Sequence, residues 1–175
     1  VEYGLNLTTR RETRVKLYFL RHGIAEDHSP TGRDADRRLT AEGVDEMQAV
    51  AAGMAALGLR FDRILSSPKS RARHTAEIAA EKLELQDALS LEPIIGHGFS
   101  HFDLATLLAS EPTNARILLV GHQPDLSTVI GALIGGGHVQ MKKASLAYLE
   151  AYRVEPSGAE LRWLLHASHL ARLGA

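Results

Sequence analysis

Apolar residues in this chain fall into short runs, each closed by a polar or glycine-rich stretch. Residues 15–20 read VKLYFL, a β-rich apolar run that predicts a buried strand and stops abruptly at Arg21-His22-Gly23. A polar stretch, HSPTGRDADRR, leads to Thr40, which is placed to cap a helix with Val44, Met47, Ala51 and Met54 on its apolar face and Gly58 as its stop. Residues 62–65 (DRIL) predict a second strand ending at Ser66-Ser67-Pro68, followed by a helix with Ala72, Ala76, Ala79 and Leu83 on one side. The segment 87–100, broken by Pro93, Gly96 and Gly98, reads as loop, and Ser100 caps a helix reaching about Ala109. Residues 117–120 (ILLV) predict a third buried strand, ending at Gly121-His122-Gln123-Pro124. The next helix carries Leu126, Val129, Ile130 and Leu133 and runs into Gly135-Gly136-Gly137. Two last strands, near 145–154 and 160–166, flank Pro156-Ser157-Gly158 and pair as a hairpin.

Strands alternating with helices imply an α/β fold: a three-layer sandwich with a mostly parallel central sheet, flanked by helices, and an antiparallel hairpin at one edge. No internal repeat or linker divides the chain, and 175 residues suit one domain, expected over 15–175. Residues 1–14, VEYGLNLTTRRETR, lack an apolar signal core and are expected to be a mobile leader or a non-native remnant.

Composition narrows the partners. Hydrophobic residues make up 45% and charged ones 23%, which argues against disorder and low complexity. Lys and Arg number 20 against 21 acidic residues, so no global basic field points to nucleic acid or anionic lipid. No apolar run approaches the ~20 residues of a membrane span. The absence of cysteine excludes disulfides, thiolate metal sites and Cys nucleophiles, and fits a reducing, cytoplasmic compartment. A monomer is expected. Nine histidines are many for this length, and their positions matter more than their number.

Polar residues collect directly after the first three strands: Arg21-His22, then Ser66 to Arg71, then His122. In open parallel sheets ligands bind beyond the carboxyl ends of the strands. Three distant segments would therefore bring two His and two Arg to one sheet edge. Such a cluster of cations calls for an anion, and guanidinium forks match phosphate oxygens. The pattern points to a bound phosphoryl group rather than a metal. No GxxxxGK[ST], GxGxxG or GxSxG motif is present, which argues against a nucleoside triphosphatase, a dinucleotide oxidoreductase and a nucleophile-elbow hydrolase. Nothing calls for a cofactor. His97 and His101 have i,i+4 spacing, but Gly98 lies between them in a predicted loop, so no metal site is expected.

LYFLRHGIAE, SSPKSRARHTAE and LLVGHQPDL resemble the three signature segments of the histidine phosphatase (phosphoglycerate mutase-like) superfamily. The short length, LTAEG and MKKASLAYLE are similar to its small SixA-type phosphohistidine phosphatases, in the same order from Val15 to His166. The resemblance implies the histidine phosphatase fold and makes His22 a nucleophile that takes up the phosphoryl group and loses it to water. A neutral imidazole is a good nucleophile near pH 7, its unperturbed pKa being ~6.5. By the same resemblance His122, expected as a cation, bonds a phosphoryl oxygen, and Arg21 and Arg71 clamp the others. Arg73 is the runner-up to Arg71. Attack by a neutral His22 beside a cationic His122 predicts a bell-shaped pH profile near neutrality.

The proton donor has no recognisable motif. Glu92 in SLEPIIGHG is the nearest candidate, with Asp103 and His97 behind it, and Glu92 can equally be an ordinary loop carboxylate. A weak or missing acid favours phosphohistidine, whose leaving imidazole takes its proton from solvent, over a phosphate ester, whose alkoxide needs one from the enzyme. The expected substrate is thus phosphohistidine on a signalling or phosphotransfer protein, with room for it because so short a chain has little scope for an inserted lid. The alternatives are a phosphomonoesterase acting on a small phosphorylated metabolite, or a phosphate-binding domain without catalysis.

Overall fold

In a computed structural model, which describes residues 14–175, the VKLYFL run forms strand β1 (Val15–Arg21) in the interior of the sheet. The leader expected over residues 1–14 lies outside the described residues, apart from Arg14. Alternate side chains of β1 enter two different cores: Leu17 and Phe19 on one face, Tyr18 and Leu20 on the other. A strand covered on both faces needs no polar alternation, which is why its sequence is almost continuously apolar. Full burial of each such side chain is worth about 1.5–3 kcal/mol.

The remaining strands are β2 (Arg63–Ser66), β3 (Leu89–Leu91), β4 (Ala115–Gly121), β5 (Leu146–Ala151) and β6 (Ala159–Leu165), in the spatial order β3-β2-β4-β1-β5-β6. Pairings from β3 through to β1 are parallel, and those of β1 with β5 and β5 with β6 are antiparallel. The helices are α1 (Ala41–Ala56), α2 (Ser70–Leu83), α3 (His101–Leu107), α4 (Asp125–Leu133) and α5 (Ala167–Leu173). Helices α3 and α4 pack on the Leu17/Phe19 face, and α1, α2 and α5 on the Tyr18/Leu20 face. The three layers match the expected sandwich. No helix among the described residues is long and apolar enough to cross a membrane.

Local signals explain the helix starts. Thr40 Oγ1 accepts from the Gly43 N–H at 3.0 Å, and Ser100 and Asp103 form a reciprocal capping box at α3. Gly43 also sets the route of the chain leaving β1. A Cβ there would lie 2.0 Å from the Ile24 carbonyl oxygen, so only glycine lets α1 pack this closely on the loop after His22.

Two elements depart from expectation. The segment read as loop over 87–100 contains β3, three residues long and only partly covered, whose pairing with β2 gives the sheet six strands rather than the five predicted. The end of the chain forms α5, seven residues long. Its buried Leu170 backs onto α1, where a Cβ on Gly53 would meet the Leu170 carbonyl at 1.9 Å. Both are too short to show periodicity and are held by tertiary contact.

Candidate active site

Register brings the polar strand endings together. Arg21 is opposite Gly121, and Ser66 is opposite Val120, so β1, β2 and β4 end at the same edge. The next residues are stitched across that edge: His22 N–H donates to the Gly121 carbonyl at 3.1 Å and Ser67 N–H to the Val120 carbonyl at 3.0 Å. The two imidazoles that result, His22 and His122, are 7% and 8% exposed, with ring centroids 5.2 Å apart.

The protonation of His22 can be read from its partner. Nδ1 lies 2.8 Å from the Gly23 carbonyl oxygen, which can only accept, so Nδ1 carries the hydrogen and Nε2 keeps its lone pair. Burial pushes the His22 pKa from 6.5 down to about 4, opposed by the bond to Gly23 and reinforced by Arg71, Arg21 and Lys143. The ring is therefore a neutral base at pH 7. Thr75, fully buried in α2, holds the loop from below. Its hydroxyl accepts from Gly23 N–H at 3.1 Å and donates to the Arg71 carbonyl at 2.7 Å.

His122 is not the expected cation. Burial, followed by the influence of His22, Arg71 and Lys69, lowers its pKa from 6.5 to about 3, so it is neutral in this environment. Its Nε2 lies 2.8 Å from Ser67 Oγ, and that oxygen also faces the Lys69 N–H at 3.4 Å. The Ser67 hydroxyl can donate to Nε2 while its oxygen accepts from Lys69, and His122 then carries its hydrogen on Nδ1. That Nδ1 is buried without a partner among the described residues.

The two arginines have similar unspent donors. Arg21 Nη1 donates to the Met141 carbonyl at 2.9 Å, and Arg71, 5% exposed, donates through Nη1 to the Asp34 carbonyl at 2.7 Å and through Nη2 to its carboxylate at 3.1 Å. The Nε of each is buried and unpartnered. Thus three N–H groups, from Arg21, Arg71 and His122, lack acceptors inside a cluster that contains a neutral nucleophile. An unsatisfied buried donor is unfavourable, and an oxyanion supplies the acceptors that these three lack.

Asp34 was not among the candidates. It sits in a 3-10 turn at Asp34–Asp36, where Lys69 Nζ and Arg71 Nη2 approach one carboxylate oxygen at 2.8 and 3.1 Å and Arg37 Nη1 approaches the other at 3.0 Å. The bond from Lys69, aided by Arg71 and Arg37, holds this carboxyl well below the usual carboxylate range. The signal was a pair of acids, Asp34 and Asp36, inside the basic stretch RDADRR, but only folding shows which cations Asp34 meets.

The predicted acids lie elsewhere. Glu92 Oε1 accepts from Ser90 Oγ at 2.9 Å and lies 3.6 Å from Nη2 of Arg63, the opening residue of β2. The carboxylate is therefore turned back along the sheet toward the opposite edge, because a cation waits there. Asp103 is occupied in capping α3, and His97 is exposed. Arg73 faces outward, 3.4 Å from Glu77. Glu46, half-buried, lines a depression with Ile24, Lys143 and His166.

Comparisons with known proteins agree with this architecture. The profile of the histidine phosphatase superfamily (branch 1) matches residues 17–93. An uncharacterized protein of Picosynechococcus sp. is 38% identical over 146 residues, covering 78% of this chain and 86% of its own length. The structure of the protein histidine phosphatase SixA complexed with tungstate superposes with a TM-score of 0.76 at 22% identity, covering 89% of this chain and 99% of that one. Phosphoserine phosphatase from Entamoeba histolytica, in complex with 3-phosphoglyceric acid, superposes with a TM-score of 0.64 at 19% identity, covering 89% and 99%.

Proposed function

The chain belongs to the histidine phosphatase superfamily, and from that premise we propose that it removes phosphoryl groups from phosphohistidine on a signalling or phosphotransfer protein. The observation that carries this reading is the state of the acid at the site. Asp34 is the carboxylate paired with Arg71, and three cations keep it ionised. It therefore has no proton to give a leaving group, and Glu92 is engaged by Arg63. A P–N bond to an imidazole breaks without an enzymic acid once the distal ring nitrogen is protonated from solvent. An alkoxide leaving group has no such route.

The geometry supports the following steps. The His22 Nε2 lone pair attacks phosphorus while the electrons of the substrate's P–N bond return to its ring, releasing neutral imidazole. Nδ1–H, held by the Gly23 carbonyl, stabilises the positive charge that the His22 ring gains. Arg21 Nε–H, Arg71 Nε–H and His122 Nδ1–H bind the non-bridging oxygens, whose charge grows in the transition state. Water then attacks the phosphorus, the P–Nε2 bond breaks, and inorganic phosphate leaves with His22 neutral again. The protein histidine phosphatase SixA, which shares this fold, is complexed with the oxyanion tungstate, which supports the reading of an anion-binding protein.

A substrate panel tests the reading. A general acid contributes on the order of 10²–10⁴ in rate, so kcat/KM on a phosphohistidine peptide is expected to exceed that on a phosphoserine peptide by about that range. Similar values for the two would favour a small-substrate phosphomonoesterase, and no turnover of either would favour a phosphate-binding domain.

The pH dependence of kcat/KM reports the free enzyme. The folded pKa of His22 lies below its unfolded value of 6.5, so the neutral nucleophile persists until the pH falls toward about 4. After subtracting uncatalysed hydrolysis and dividing out the protonation of the substrate's distal ring nitrogen, the expected profile is level through 6.5 and falls toward about 4. An acid limb centred near 6.5 would contradict the burial argument. The bell near neutrality expected from a cationic His122 gives way, because burial holds that ring neutral. The stability associated with these two rings is present above 6.5 and lost as the pH falls through their folded values.

A further inference from the structure

Beside Arg21 a groove of about 500 Å³ runs between α4 and the segment 137–142. It is continuous with the phosphoryl site, because Arg21 lines it and also belongs to the cluster around His22. Its wall is tied in place. Gln123 Nε2 donates to Ser127 Oγ at 2.7 Å and to the Met141 carbonyl at 3.3 Å, Ser127 Oγ donates to the Val139 carbonyl, and Arg21 holds Met141 from the other side. Gly131 and Ala132 also line it, and a Cβ on Gly131 would lie 2.9 Å from the Gly137 carbonyl, so glycine lets the segment after α4 pack closely there.

The charge of this groove is one-sided. Among the described residues no carboxylate lines it, although the chain as a whole has one more acid than base. Lys142 and His138 are exposed on its rim, and among the described residues Lys142 makes no ion pair. Gln140 adds an exposed amide. We propose that this groove docks an acidic segment of the phosphohistidine-bearing protein, the stretch of chain next to the phosphorylated side chain, with Lys142 and Arg21 as its cationic contacts. The inference rests on the phosphohistidine reading above. Its physical basis is complementarity: a positive, carboxylate-free channel ending at a phosphoryl site favours negative chain and rejects basic chain.

The test uses the full chain and three substrates: phosphoimidazole, a phosphohistidine peptide flanked by Asp and Glu, and the same peptide flanked by Lys. The readout is the ratio of kcat/KM for the acidic peptide to that for the basic one, from which any general loss of activity cancels. The wild-type ratio is expected to be about tenfold and to fall toward one as salt screens the rim. Lys142→Glu is expected to lower it about fivefold, the scale of one exposed charge contact, and Gln140→Glu to lower it in the same direction. A wild-type ratio near one, or a ratio unmoved by both substitutions, would overturn the docking proposal. Failure of the wild type to hydrolyse phosphoimidazole and both peptides would instead overturn the phosphohistidine reading on which it rests.

Discussion

His22→Ala is expected to abolish the phosphoenzyme and to reduce turnover by a factor on the order of 10⁴–10⁶, the scale seen when a covalent nucleophile is removed. The reason is geometric as well as chemical. Nε2 of His22 is the nitrogen whose lone pair the Gly23 bond leaves free, and His122, the other imidazole here, directs Nε2 toward Ser67 and offers an N–H instead. His122 is therefore poorly placed to take over. The measurement is incorporation of radiolabelled phosphoryl groups after an alkaline quench, since a P–N bond survives alkali and is lost in acid. Label on the wild type, none on His22→Ala, and retained vanadate binding by the variant are the expected results. Equal labelling of the two proteins would move the nucleophile elsewhere.

Arg71→Ala is expected to lower kcat/KM by about 10²–10³, as for loss of one preorganised donor to the reacting group. Arg71→Lys should recover little, because the three N–H groups of an ammonium radiate from one nitrogen and cannot span the Asp34 carbonyl, its carboxylate and the anion as the planar guanidinium does. Removing Arg71 also leaves Asp34 with only Lys69 and Arg37 as partners, so more of its negative charge faces the incoming phosphoryl group. Adding Asp34→Asn to Arg71→Ala should therefore restore part of the lost kcat/KM, a coupling that a double-mutant cycle measures. Strict additivity would mean that Asp34 and Arg71 act independently, contrary to their 3.1 Å contact.

Much of this was legible in the sequence, for reasons specific to each segment. VKLYFL and ILLV are apolar at every depth because β1 and β4 are covered on both faces, so their identity as interior strands needed no partner to be seen. The residues after them had to lie at the carboxyl edge once the strands were parallel, which is how Arg21, His22, Arg71 and His122 come together. Strand β3 and helix α5 were missed because three and seven residues carry too little pattern, and their stability comes from β2 and from α1.

The acid and the charge states were of a different kind. Glu92 and Asp34 are both carboxylates in polar surroundings, and nothing local separates them. Arg63 draws one away and Lys69, Arg71 and Arg37 enclose the other. His122 reads as a plausible cation until burial sets its pKa. By itself, then, the sequence determined the order of strands and helices, β3 and α5 excepted, and which residue types end β1, β2 and β4, since periodicity and chain direction are local properties. Only the tertiary structure decided which acid meets which cation and which imidazole nitrogen holds its proton, because desolvation and Coulomb interaction depend on distances between residues far apart in the chain.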